Sequence, residues 1–175
     1  MAEVVNFNTP ENQTVDRELL ILCKNTGTGE APVWSPVGKR VNDSSMEYDW
    51  NEETSTDIMG DTYTTMDKPK ITQNFDPWPL AAGDAAQLQI WTDSIRNHDT
   101  NAMANNDMLV LHCYAGTAET AVFSERYAAC AVKPTSLGGA GGGKLGMPIT
   151  VTFGGVRTVG TAGVKDGTIT FTPAT

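Results

Sequence analysis

Basic side chains are scarce in this chain of 175 residues. Twelve Lys and Arg stand against 21 Asp and Glu, leaving a formal net charge of −9 and an isoelectric point near 4.5. Such a surface repels phosphate, which argues against tight electrostatic gripping of nucleic acid. Long apolar runs are also missing: none exceeds about six residues, whereas a membrane helix needs roughly 20, so no membrane insertion is expected. The first eight residues have neither a basic region nor an apolar core, so Sec export is not expected. Cysteine is limited to Cys23, Cys113 and Cys130, an odd number without a C-x-x-C, which excludes a disulfide framework and suits a reducing compartment. Only 19% of residues are charged while 39% are hydrophobic, a globular balance at a length that suits one domain over residues 1–175.

The periodicities that remain are mostly those of strands. Residues 19–24 form a short apolar run bounded by turn-rich Asn25-Thr26-Gly27. From Met46 the chain alternates, with Met46, Tyr48 and Trp50 on one face and Glu47, Asp49 and Asn51 on the other. Gly60-Asp61 and the β-branched Thr62-Tyr63-Thr64-Thr65 then predict a long hairpin over residues 46–75, with its tip near 56–61. One helix is predicted over 84–98: Asp84 as N-cap, Gln87 three residues on as its reciprocal partner, and Leu88, Trp91 and Ile95 as the core-facing stripe. Strands follow around 108–114 and 122–132, and a Gly-rich loop at 134–147 reads as a flexible connector. Near the C-terminus Ile149, Val151 and Phe153 alternate with threonines. Asp166-Gly167 marks a type I′ hairpin between alternating runs. Several strands and one good helix predict a mainly β sandwich or barrel with a flanking helix.

Motifs for chemistry are weak. Gly138 to Lys144 satisfies most of a phosphate-binding loop, but Leu145 replaces the Ser or Thr that holds magnesium, and Gly146 and Pro148 forbid the helix that must follow. His112-Cys113 are neighbours whose side chains point to opposite faces of a strand, and His98 fits a dipole partner at a helix end. Ser124, His112 and an Asp form a trio that almost any sequence offers, without G-x-S-x-G. The acidic run from Asp49 to Glu53 lacks the glycine of a calcium loop, with Thr54 in its place. No catalytic residue, metal site or cofactor is expected.

Charge placement is the strongest local feature. Between residues 41 and 67 lie eight acids (Asp43, Glu47, Asp49, Glu52, Glu53, Asp57, Asp61 and Asp67) and no Lys or Arg. Charge of this kind can simply keep an exposed edge soluble. It can also keep a negative molecule from adhering.

Several stretches together resemble the major tail, or tail tube, proteins of long-tailed, siphovirus-like phages and prophages of Gram-positive bacteria. They are Lys39-Arg40-Val41, Tyr48-Asp49-Trp50-Asn51-Glu52-Glu53, the run from Thr56 to Thr65, Pro69, Gln73-Asn74-Phe75-Asp76-Pro77, Ala82-Gly83-Asp84-Ala85-Ala86, the Gly-rich loop and the closing Thr170-Phe171-Thr172-Pro173. The likeness covers about residue 40 to the C-terminus, the first forty residues match only in general shape, and residues 1–18 are expected to form an N-terminal arm. The resemblance implies a β-sandwich or barrel of the tail tube type, one flanking helix and a projecting hairpin. It implies hexameric rings stacked into a tube of the virion tail, made in the host cytoplasm, around a tape-measure protein and between terminator and distal tail proteins. Duplex DNA would pass through the lumen without specific binding. Glu47, Asp49, Glu52, Glu53, Asp57 and Asp61 are then the candidate lumen-facing acids, and Met46, Tyr48 and Trp50 the packing face of the assembly hairpin. The tube of a contractile tail or tail-like bacteriocin fits the same residues. Two other classes are a carbohydrate-binding sandwich with Trp34, Trp50 and Trp78 as sugar platforms, and a glycosidase using two hairpin acids about 5–9 Å apart beside a pocket.

Overall fold

The computed structural model describes residues 5–175, so the start of the N-terminal arm lies outside the described residues. A 3-10 turn (Arg17–Leu19) leads into β1 (Leu20–Asn25), and β2 (Trp34–Pro36) returns antiparallel to it. Next come β3 (Met46–Asp49), β4 (Glu53–Thr56), β5 (Thr62–Thr65) and β6 (Lys70–Phe75). A helical segment follows as α1 (Ala85–Trp91), a π turn (Thr92–Arg96) and α2 (Thr100–Ala104). The chain ends with β7 (Asn106–Thr117), β8 (Ala121–Pro134), β9 (Ile149–Thr152), β10 (Arg157–Lys165) and β11 (Thr168–Pro173). The fold is mainly β, every strand pair is antiparallel, and the helical segment flanks the sheets.

The long strand β8 joins the two layers. Residues 121–130 pair with β7 on one edge and 122–127 with β10 on the other, while residues 131–134 pair with β9. From there β9, β6 and β3 continue the second layer. The switch from β9 to β10 passes Ala129 at close range. Gly155 has φ +76°, and a Cβ there would lie 2.7 Å from the Ala129 backbone nitrogen. Gly155→Ala is therefore expected to cost about 1–3 kcal/mol through strain and overpacking, measurable as a lower denaturation midpoint. At the second turn the expected signal holds: Asp166 (φ +51°) and Gly167 (φ +76°) connect Lys165 to its partner Thr168.

β7 is apolar without alternation because both of its faces are covered. Met108 and Val110 enter one core with Leu22, Phe75, Trp78, Ile90, Val132, Ile149 and Val151. Leu109 and Leu111 enter a second with Cys23, Trp34, Val122 and Ala162, against which Ile169 and Phe171 pack. Burial pushes the Cys23 thiol up to about 12, with Cys113 adding to it, and the Cys130 thiol up to about 11, so both stay protonated and inert.

Two expectations need correction. On the helix, Asp84 does cap, accepting from the Gln87 amide at 3.1 Å, but Leu88 is 65% exposed and not part of the core face. The buried stripe runs instead through Ala86, Ile90 and Ser94, with Gln87 beside it, while Trp91 and Ile95 are half-buried against the core. A π turn after Trp91 widens the period, and the Gln87 amide turns inward to the Pro79 carbonyl and Ala81 amide rather than back to its cap. The Gly-rich loop is not a free connector either. Gly138 and Gly146 exchange backbone hydrogen bonds at 2.7 and 3.0 Å, and Leu80 donates to Leu145 at 2.8 Å. β9 follows the loop, with no helix to face a phosphate.

Candidate functional site

The hairpin is built in two tiers. At its root β3 pairs with β6 from Met46–Gln73 to Asp49–Lys70, and beyond a kink β4 pairs with β5 and with nothing else. The kink arises because Pro69 has no N–H to continue the ladder. There Asn51 takes φ +44°, the Asp49 carboxylate accepts its amide at 3.1 Å, and the Asn51 side chain donates to Asp67 at 3.0 Å.

Asp57 organises the tip. Its carboxylate accepts the Met59 amide at 2.8 Å, the Asp61 amide at 3.0 Å and the Tyr63 hydroxyl at 3.1 Å. The Asp61 amide, then the Met59 amide, hold its pKa below the usual carboxylate range although it is exposed. Among the six acids of the sequence reading, Asp57 thus has a structural task inside the tip. A depressed folded pKa means that tip order is present above the unfolded carboxyl pKa and lost as pH falls through the folded one. Asp57→Ala should accordingly remove hydrogen-exchange protection at Met59 and Asp61 at neutral pH without moving the melting temperature of the sheets.

Every residue from 47 to 68 is exposed. Among them are Tyr48, Trp50 (49% exposed), Ile58, Met59, Tyr63 and Met66. Tyr48 and Trp50 stack at 6.1 Å and 15°, and of the expected packing face only Met46 reaches this chain's own core. Glu47 and Asp49 alternate with Met46 and Tyr48 along β3, and Glu52, Glu53 and Asp61 stand exposed further out. A two-stranded ribbon is marginally stable in water by itself, and this one displays large apolar side chains that the described residues leave about half or more exposed.

Beneath the hairpin root lies a polar network that no sequence motif marked. His112 on β7 meets Tyr114 through Nδ1 (2.8 Å) and Glu125 on β8 through Nε2 (3.0 Å). Glu125 Oε1 accepts from Arg157 Nε on β10 at 2.6 Å, and a second guanidinium nitrogen joins it. Burial alone would raise the Glu125 pKa, but hydrogen bonds from His112 and Arg157 outweigh it and hold the carboxyl below its ordinary value. The network reaches the hairpin: burial first, and then the Glu125 charge, push the Tyr48 phenol up. A charged Glu125-Arg126 pair inside an otherwise strand-like run was the available signal.

The arrangement offers little for catalysis. In register, Ser124 lies opposite Leu111 and His112 opposite Phe123, so serine and histidine point to opposite faces. Trp34 and Trp78 are buried, leaving Trp50 as the one exposed member of the sugar-platform set. Among the described residues, a surface depression of about 860 Å³ lies between residues 16–22 and 36–44 with Gln73 and Phe75, and one of about 260 Å³ lies beside α1; neither is lined by a hairpin acid. Among the described residues no three His, Cys, Asp or Glu side chains converge as metal ligands would, and no helix is long and apolar enough to cross a membrane.

No protein-family profile and no curated protein sequence matches the chain. Among solved structures it is similar to chains of an extracellular contractile injection system. One is from the PVC sheath-tube complex in the extended state (12% identity, TM-score 0.48, 85% of this chain and 93% of that one). Another is from the PVC sheath/tube terminator (12%, 0.48, 86% and 99%). A third is the tube terminating cap of the anti-feeding prophage (17%, 0.48, 89% and 96%). Similarity of this degree carries no argument about function by itself.

Proposed function

We propose that this chain is a structural protein that assembles through its hairpin into stacked, hexameric rings forming the tube of a phage-type tail. One observation carries the reading. The hairpin over residues 47–68 is exposed along its whole length yet displays Tyr48, Trp50, Ile58, Met59, Tyr63 and Met66, a packing surface without a partner among the described residues. The natural partner is another copy. A patch that docks on a different patch of the next copy closes into a ring, or stacks into a filament. The reading covers non-contractile and contractile tails alike. A tape-measure protein inside, terminator and distal tail proteins at the ends, and passing DNA are the partners that such a tube requires. Sedimentation velocity over a concentration series tests self-assembly: the sedimentation coefficient rises with concentration if the reading holds and stays that of an 18.7 kDa monomer if it fails.

In this tube Glu47, Asp49, Glu52, Glu53 and Asp61 line the lumen. Duplex DNA carries one charge per roughly 1.7 Å of axis, and a conduit must avoid adhesion along its whole length. Repulsion is weak per residue, because the Debye length is about 8 Å in physiological salt, but it is continuous along the path. Glu47→Lys combined with Asp49→Lys should still assemble, while virions built from it eject DNA slowly or incompletely. Ejection at the wild-type rate at both low and physiological salt would place these acids elsewhere.

A further inference from the structure

We infer that the hairpin tip of one copy seats in the apolar pocket beside α1 of the next copy, a contact that rests on the self-assembly reading above and names its receiving surface. The donor is a preformed knob. Ile58 is fully exposed and Met59 is 82% exposed, and the three hydrogen bonds to the Asp57 carboxylate fix the turn that presents them. Little ordering is left to be done on docking.

The receiver is a depression of about 260 Å³ lined by Leu80, Ala81, Ala82, Gly83, Leu88 and Trp91. Gln87 is the remaining lining residue, and its amide is already occupied by the Ala81 amide and Pro79 carbonyl, so the hole favours an apolar guest. The depression is shallow and open to solvent, which suits a side chain laid against it from outside, Ile58 or Met59, rather than one enclosed. The exposure of Leu88, on a helix whose other large apolar residues turn inward, is then the rim of a socket.

Charge complements shape. The Asp61 carboxylate at the knob has no hydrogen-bond partner among the described residues. Leu145 accepts the amide of the lining residue Leu80, and Pro79 pairs with Gly146, so the backbone of Lys144 runs alongside the depression without lining it; Lys144 is exposed and pairs with no carboxylate among the described residues. The ribbon of β4 and β5 pairs with no other element of its chain, so the guest comes from a second copy. Knob and socket are different patches, which makes the contact head-to-tail and repeatable.

Cross-linking tests this on the full chain. With Met59→Cys and Leu88→Cys together, oxidised glutathione should yield a ladder of disulfide-linked multimers on a non-reducing gel, since bridging requires Cα atoms within about 7 Å. Chains with either substitution alone should give no ladder; Cys23 and Cys130 are buried, and the partly exposed Cys113 is replaced by Ser in every variant. Independently, Asp61→Lys and Lys144→Asp should each raise the concentration for half-assembly tenfold or more, and the double exchange should restore it. Assembled particles with neither ladder nor rescue, or with position 88 linked to another segment by mass spectrometry, would overturn the contact and leave self-assembly standing. A wild-type chain that stays monomeric at every concentration would overturn both.

Discussion

Replacing Trp50 with Asp is expected to abolish rings and tubes while leaving the far-ultraviolet circular dichroism of the monomer β-like. Trp50 touches neither core of its own chain and is half exposed at the kink, stacked on Tyr48. Its removal therefore costs the monomer little. In an interface, a central Trp truncated or made charged costs about 2–4 kcal/mol per contact, a factor of roughly 30 to 1,000 in affinity. A ring repeats that loss at every junction, so the effect on assembly is all-or-none. Tubes of normal appearance from this variant would remove Trp50 from the packing face.

The largest effect on the fold itself should come from Glu125→Ala. The Glu125 side chain is 7% exposed and His112 10%, whereas Arg157 is half exposed. Removing one member of a buried pair costs about 3–5 kcal/mol. The low end, about 3 kcal/mol, applies here because the half-exposed Arg157 can regain water. The sign of the pH dependence follows from the depressed folded pKa of Glu125. Its contribution is fully present above the unfolded carboxyl pKa of about 4.3 and is lost as pH falls through the folded value. Urea midpoints of wild type and Glu125→Ala should hence differ strongly at pH 7, and the gap should close as pH falls below the unfolded carboxyl value and through the folded one. A constant gap across that range would assign the loss to packing rather than charge.

Much of the fold is legible in the residues. Alternation from Met46, the Asp166-Gly167 turn and the apolar runs of β1 and β7 each express local geometry that tertiary packing then keeps. The helix face was not legible, because the spacing of Leu88, Trp91 and Ile95 is as regular as that of Ala86, Ile90 and Ser94. Only the π turn and the inward Gln87 amide choose between them. Composition likewise cannot tell that two of the three candidate platform tryptophans are buried, since Trp34 and Trp78 owe that to strand pairing and to a loop far along the chain. At the hairpin, sequence marked the acids but could not separate Asp57, which folds the tip, or Asp49 and Asp67, which hold Asn51, from neighbours such as Glu47, Glu52 and Glu53. The His112–Glu125–Arg157 network joins residues of three strands, and its one local trace is the charged Glu125-Arg126 pair inside a strand-like run, which names neither partner.

Electron microscopy of the purified full-length protein tests the central claim most directly. The account predicts rings or tubes of uniform diameter, with density for the hairpin bridging from each subunit to the next. Monodisperse particles of single-subunit size at every concentration, with the hairpin folded on its own chain or free in solvent, would contradict it.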